Sequence, residues 1–391
     1  MEKRVYLDWN ATAPLRPQAR AAMVAALDAA GNPSSIHAEG RAARLIVETA
    51  RSDVAALFGA DPSHVTFTSG GTEANALALT PRFRRGAADL ICDRLLFSGV
   101  EHPSVRTGGR FGSGQVEAIP VDGNGVIDLG WLKDRLSNDE AAAPALVSVM
   151  AANNETGVVQ PISEVADLVH EAGGVLHVDA VQAAGRILLD INALHIDLMT
   201  VSAHKIGGPK GVGALIRGAS DFHLMTPLVT GGGQERGQRA GTENVAGIAG
   251  FGAAATVVRG AFAAENAHVQ ALRDRLEAGL RARTPDVVIF GESAPRLPNT
   301  TLFALPGIKA ETAVIAFDLD GVAVSSGAAC SSGKVQPSAV LQAMGVEEGL
   351  TRSGLRVSLG WDTTEADIEL FLSAWLKVSR SLHKGSRGQA A

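Results

Sequence analysis

The stretch Val-Leu-His-Val-Asp-Ala-Val-Gln, residues 175–182, reads as a buried strand that delivers one carboxylate, Asp179, to its C-terminal end. In open α/β sheets that end of a strand is where ligands sit. A carboxylate held there needs an opposite charge, and a protonated ring nitrogen would supply one. Taken alone, Asp179 would read more simply as a helix cap. A further apolar run, Leu198 to Val201, leads into Val-Ser-Ala-His-Lys-Ile-Gly-Gly-Pro-Lys-Gly, residues 201–211. Lys205 stands at the end of that strand, beside Ser202 and His204. Partial burial would lower its pKa and free the amine for a Schiff base. The glycines behind it let a bulky cofactor approach. Lys210, in the same loop, is the competing amine, and a plain surface lysine is the simpler alternative. An aspartate and then a lysine on successive strand ends favour a cofactor site.

Working outward, Thr-Ser-Gly-Gly-Thr-Glu-Ala-Asn, residues 68–75, follows the strand Val65 to Thr68 and opens a helix from Glu73. Gly71 permits close backbone approach, Thr72 adds a hydroxyl, and a helix N-terminus offers free N–H groups to a phosphate. A plain capping turn has the same composition. Leu95 to Ser98 and Ala145 to Met150 read as further buried strands, with helical patterns such as Ile162 to Ala172 between them. The alternation predicts an α/β fold, a mostly parallel sheet with helices on its faces. Gly211 to Ile216 predicts a strand returning from the Lys205 loop. From Phe251 to Arg283 an Ala-, Leu- and Arg-rich pattern runs without proline. That is long for one globular helix, so it predicts a break or a bridge between two domains. Beyond Pro285 a second strand–helix set begins with Val287 to Phe290, Thr300 to Phe303, Val322 to Ser325 and Gly354 to Ser358. The tail after Leu382 has no burial pattern and is expected to fray.

The composition excludes several classes. The chain has 391 residues, a net charge of -6 and no long Lys/Arg run, so nucleic acid is not an expected partner. Arg82, Arg84 and Arg85 are expected on a solvated helix end or loop. Two cysteines, Cys92 and Cys330, cannot build a disulfide framework and fit a reducing, cytoplasmic setting. The N-terminus lacks an apolar signal region. The uncharged run Val245 to Val258 is expected to be a close-packed helix, too short and Gly/Ala-rich for a membrane span. No metal site is expected.

The chain resembles the class V aminotransferase group of fold-type I pyridoxal-phosphate enzymes, and within it the cysteine desulfurases of the nitrogen-fixation and iron–sulfur-cluster branch. The resemblance rests on the segments above. It rests also on Tyr-Leu-Asp-Trp-Asn-Ala-Thr-Ala-Pro (6–14), Gly-Asn-Pro-Ser-Ser-Ile-His (31–37), Glu-His-Pro-Ser-Val (101–105), Asn-Asn-Glu-Thr-Gly (153–157), Arg-Ala-Gly-Thr-Glu-Asn (239–244), Ser-Ser-Gly-Ala-Ala-Cys-Ser-Ser-Gly (325–333) and Leu-Arg-Val-Ser-Leu-Gly (355–360). Each is weak alone, but their order and spacing are specific. The resemblance implies a large cofactor-binding domain, 15–255, with a mostly parallel seven-stranded sheet. It implies a smaller α+β domain from 1–14 and 256–391 that carries the cysteine loop.

What the resemblance implies for single residues follows position by position. Lys205 matches the Schiff-base lysine, and Asp179 the partner of the pyridine nitrogen. His102 matches a ring-stacking histidine and a second acid/base. Asn154 and Gln182 match groups near the cofactor's phenolic oxygen, Asn154 also lying toward the substrate. Gly71, Thr72, Ser202 and His204 match the phosphate cup, and Thr242 a phosphate ligand donated across a homodimer interface. Arg356 matches the clamp on the substrate carboxylate, where a bidentate guanidinium suits; a surface salt bridge is the plainer alternative. Cys330, among small residues, matches a persulfide-forming thiol on an accessible loop, whereas Cys92 is expected to be structural.

The implied reaction takes L-cysteine to L-alanine and a Cys330 persulfide, whose sulfur passes to an acceptor or iron–sulfur scaffold protein. Because the nucleophile is a thiolate, activity should fall at acid pH. The form Ser-Ser-Gly-x-Ala-Cys is that of the first desulfurase group. The chain lacks an evident docking tail, which leaves the scaffold partner open. Transamination, kynurenine cleavage, selenocysteine lysis and a non-catalytic, cofactor-binding sulfur scaffold are the other readings on the same fold.

Overall fold

The computed structural model describes residues 4–137, 143–327, 330–331, 334–335 and 337–388, with the backbone alone for 330–335 and beyond 382. Its main sheet has seven strands: β1 (Val65–Thr68), β2 (Arg94–Ser98), β3 (Val116–Ile119), β4 (Ala145–Met150), β5 (Val175–Asp179), β6 (Leu198–Ser202) and β7 (Gly213–Arg217). Their order is β1-β7-β6-β5-β4-β2-β3. All pairings are parallel except those of β7, which is antiparallel to both β6 and β1. The mostly parallel sheet expected from the alternating pattern is therefore present. Strands β4 to β7 are buried along their whole length, which is why they read as mostly apolar runs without alternation.

Helix α1 (Pro17–Leu27) and helix α2 (Ala38–Leu57) pack against a long helix farther along the chain, and α3 (Gly71–Ala78) and α4 (Pro103–Arg106) follow β1 and β2. That long helix, α5, is a continuous one of 39 residues, Val245–Arg283. It does not break, and it runs from one hydrophobic core into another. Ile248, Phe251, Ala254, Ala255 and Val258 belong to the core around the main sheet. Val269, Leu272, Leu276 and Leu280 belong to a second core. By length and hydropathy α5 could cross a membrane. The uncharged run Val245 to Val258 ends at Arg259, and it forms the close-packed helix expected of it. Its glycines show instead that the apolar half is interior. A Cβ on Gly252 would meet the Cα of Ala50 at 2.6 Å, and one on Gly250 the Met23 side chain at 2.6 Å.

The second core lies beneath a four-stranded antiparallel sheet of β8 (Val288–Ile289), β9 (Thr300–Ala304), β10 (Ser325–Ser326) and β11 (Leu355–Ser358), in the order β8-β9-β11-β10. The expected strand Val322 to Ser325 is two shorter ones. Val322–Ala323 pairs in parallel with Val5–Tyr6, and β10 pairs with β11. Other differences are local. Arg82–Arg85 is a strand with Phe83 buried and the arginines outward, so the cluster is solvated but not helical. The final helix Glu365–Gly388 continues through the segment expected to fray.

Candidate active site

The parallel strands share a C-terminal edge, and most of the singled-out residues lie along it. Gly71 and Thr72 follow β1, His102 follows β2, Asn154 follows β4, Asp179 ends β5, and Ser202, His204 and Lys205 end or follow β6. They line one cavity of about 420 Å³, together with Gln182, Arg356, Asn10 and Asn75. Arg356 comes from β11, whose neighbour β10 brings Ser325, Ser326 and Gly327 to the same cavity. Two residues stand apart. Thr242 lines a separate cavity of about 220 Å³ with Glu235 and Arg239. The side chain of Cys330 lies outside the described residues, as do Ala328, Ala329, Ser332 and Gly333; its backbone pairs with Val335.

Asp179 is buried at 5% exposure. Its Oδ2 accepts from Asn75 Nδ2 at 2.8 Å and its Oδ1 from the Val181 N–H at 3.0 Å. Both oxygens are thereby oriented, and Asn75 is a residue that the sequence reading passed over. Behind them, Glu101 is buried with Oε1 accepting the Met150 N–H. Burial, and then Asp179, hold its carboxyl well above the usual range.

Lys205 and not Lys210 reaches the cavity; Lys210 is exposed and lines a neighbouring cleft. Burial pushes the Lys205 amine down to about 7, with Arg356 and Arg186 adding to the effect and Asp8 and Asp179 opposing it. Its Nζ donates to the carbonyl oxygens of Asn10 and Ala11. Burial and the lysines 205 and 210 push His204 down to about 4, so it is a neutral ring. His102 is also lowered, by burial first, with Asp179 opposing and Lys205 assisting. Its Nδ1 accepts the Ser104 N–H at 3.2 Å and so caps α4. The neutral ring therefore carries its proton on Nε2.

Arg356 is buried, which excludes a surface salt bridge. Nη1 donates to the Asn154 carbonyl at 2.9 Å and Nη2 to Asp8 Oδ1 at 2.7 Å. Its Nε has no hydrogen-bond partner among the described residues. Gln182 is held from two sides, its Nε2 donating to the Asn10 carbonyl at 3.0 Å and its Oε1 accepting from Arg186. Asp8, Asn10, Asn75 and Arg186 are thus parts of the site that were not singled out, although the first three lie inside motifs already quoted. Cys92 is buried, its thiol pushed up to about 12 by burial and by Asp93 and Asp197. It is structural.

A family model described as Aminotransferase class-V matches residues 5–371. The chain belongs to that family. A cysteine desulfurase of Cereibacter sphaeroides is 44% identical over 377 residues, which is 95% of this chain and 94% of that one. The cysteine desulfurase IscS of Dictyoglomus turgidum is 39% identical over 390 residues, 98% of this chain and 96% of its own. Among solved structures, a NifS-like protein from Rickettsia africae superposes with a TM-score of 0.88 at 36% identity, over 97% of this chain and 100% of that one. The chain therefore lies in the cysteine desulfurase branch and has the fold-type I architecture.

Proposed function

We propose that this chain is a pyridoxal-phosphate-dependent cysteine desulfurase that converts L-cysteine to L-alanine and places the sulfur on Cys330 as a persulfide. The observation that carries the reading is the convergence of Lys205, Asp179, His102 and Arg356 on one cavity, walled by the segment that leads into Cys330.

The residues present fit the cofactor. Helix α3 starts after Gly70 with no side chain capping its first turn, so its N–H groups are open to a phosphate. A Cβ on Gly71 would meet Val181 Cγ2 at 2.9 Å, so the cradle has no room for a larger residue. Thr72, Ser202 and His204 complete it. Asp179 suits a protonated ring nitrogen, Asn154 and Gln182 the phenolic oxygen, and Lys205 the aldehyde. When bound, the cofactor supplies an electron sink for the pair left behind when the substrate's Cα proton departs.

The chain's own groups do the rest. Arg356 receives the substrate carboxylate, which satisfies the buried Nε donor that the protein leaves unpaired. Lys205, displaced by the substrate amine, takes and returns the Cα proton at Nζ, with His102 Nε2 as a second donor. The Cys330 thiolate attacks the substrate sulfur. The S–S bond forms as the C–S bond breaks, the bonding pair stays on carbon, and carbon gains a proton. Cysteine plus thiol thus balances alanine plus persulfide with no outside oxidant.

We place the cofactor in a domain formed by 15–255 and Cys330 in a domain formed by 1–14 and 256–391. The working unit is a homodimer in which a second copy brings its Thr242 to the cleft of about 360 Å³ outside the phosphate cradle, lined by Ser69, Thr72 and Lys210. The persulfide passes to an acceptor protein for iron–sulfur cluster or other sulfur-cofactor synthesis. The test is purified holoenzyme with L-cysteine and reductant, assayed for alanine, sulfide and Cys330 persulfide, beside Cys330→Ala. Alanine and a persulfide that the variant lacks are expected. Alanine and sulfide at unchanged rates in the variant would refute the persulfide route, and no alanine in the wild type would refute the assignment.

A further inference from the structure

Glu155 is buried in the turn after β4, next to Asn154 of the cavity, and the mechanism above does not use it. Its Oε2 accepts from Ser338 Oγ at 2.6 Å. Ser338 is itself buried and caps the helix Ala339–Ala343, accepting the Leu341 N–H at 3.0 Å. On the other side, Glu155 Oε2 lies 3.3 Å from where a Cβ of Gly327 would stand. Gly327 is fixed by its N–H to the Gly354 carbonyl at 2.8 Å. In the chain, Cys330 falls between Gly327 and Ser338.

We propose that Glu155 is the positioning residue of the Cys330 segment, its carboxylate tying the Ser338 flank of that segment to the turn that walls the substrate cavity and packing beside Gly327 at the other flank. The inference rests on the reading of Cys330 as sulfur acceptor. The charged groups that face Glu155 are Arg356 from β11 and Arg106 from α4. Arg356 couples the tie to the substrate, because a carboxylate on Arg356 removes part of the positive field that keeps Glu155 ionised. Burial raises the Glu155 carboxyl to about 7, with Ser338, Arg356 and Arg106 pulling against it. The tie is therefore charged above that pH and neutral below it.

Glu155→Gln keeps the shape and removes the charge, and Ser338→Ala removes the partner. Two readouts decide. The first is the alkylation rate of Cys330 in cofactor-free protein, with Cys92 silent because it is buried. The second is single-turnover persulfide formation in holoenzyme, alongside cysteine binding followed by the cofactor's absorbance. Exchanging a charged hydrogen bond for a neutral one is worth about tenfold. Both variants are expected to alkylate about tenfold faster and form persulfide about tenfold slower at pH 8, with cysteine affinity within about twofold. The ratio of wild type to Glu155→Gln should approach one below pH 7, where the wild type is neutral too. Wild-type rates in both variants, a ratio independent of pH, or an equal loss of cysteine binding would overturn the proposal. If wild-type enzyme itself forms no alanine, the failure lies with the proposed function and not with Glu155.

Discussion

An amine that must attack a carbonyl has to be neutral, and Lys205 offers a measurable case. Its value near 7 means that about half of the cofactor-free molecules carry a neutral amine at pH 7. An ordinary lysine near 10.4 has roughly one neutral molecule in a few thousand at that pH. Lys205 is therefore expected to acetylate about 10² to 10³ times faster than Lys210, which is exposed in the same loop. The assay is competitive labelling of cofactor-free protein across a pH series, with peptide mass spectrometry and Lys210 as the internal reference. Charging an amine moved from 10.5 to about 7 costs roughly 5 kcal/mol. The sign of the linked stability follows from the depressed value. The folded cofactor-free chain binds fewer protons than the unfolded chain between about 7 and 10.5, so stability rises with pH across that window and the cost is complete below it. Arg356→Gln removes the larger of the two cationic contributions and should move the labelling midpoint upward. A Lys205 midpoint above about 9, or Lys210 reacting faster, would refute the reasoning.

Two further predictions concern the scaffold. Glu235 and Arg51 form a bidentate pair at 2.7 and 2.9 Å with both side chains nearly sealed from solvent, and Glu235 Oε2 also accepts the Phe67 N–H at 2.8 Å. Glu235→Ala leaves the buried Arg51 guanidinium with only the half-exposed Glu48, at 3.2 Å, as counter-charge, and should cost about 2–4 kcal/mol, read as a shift in the urea midpoint; a loss below about 1 kcal/mol would mean that Glu48 and solvent suffice to hold Arg51. In an exposed helix Gly→Ala stabilises by up to about 1 kcal/mol, yet Gly252→Ala should destabilise by about 1–3 kcal/mol because α5 meets the α2 backbone there. A raised thermal midpoint for that variant would show that the two helices separate at little cost.

The legible part of this protein is the part whose signals are local. Strands β1, β2, β4, β5 and β6 announce themselves because each is almost wholly buried and so mostly apolar, and β5 and β6 lead straight to the residues that do chemistry, Asp179 and Lys205. Asp179 and Lys205 could be read as a pair since the parallel sheet sends every such run to one edge. What the sequence could not display are the contacts that make those residues work. Asp179 is oriented by Asn75, 104 positions away, and Arg356 is held by Asp8, 348 positions away. The strand Val322 to Ser325 looked continuous because apolarity carries no record of partner, and its two halves join different sheets. The long helix looked breakable since average helices are short, but its apolar residues change cores midway, from Val258 to Val269, without interrupting the backbone.

Glu155 shows the same limit at its sharpest. In sequence it is one letter of a quoted motif, beside the asparagine that drew attention. In space its carboxylate accepts from Ser338, 183 positions away and beyond Cys330. A carboxylate buried beside a guanidinium that awaits a carboxylate substrate cannot keep its protonation independent of that substrate, because the two negative groups compete for the same positive field. Substrate recognition at Arg356 and the placement of the sulfur acceptor are thus joined through a charge, and not only through the chain that connects them.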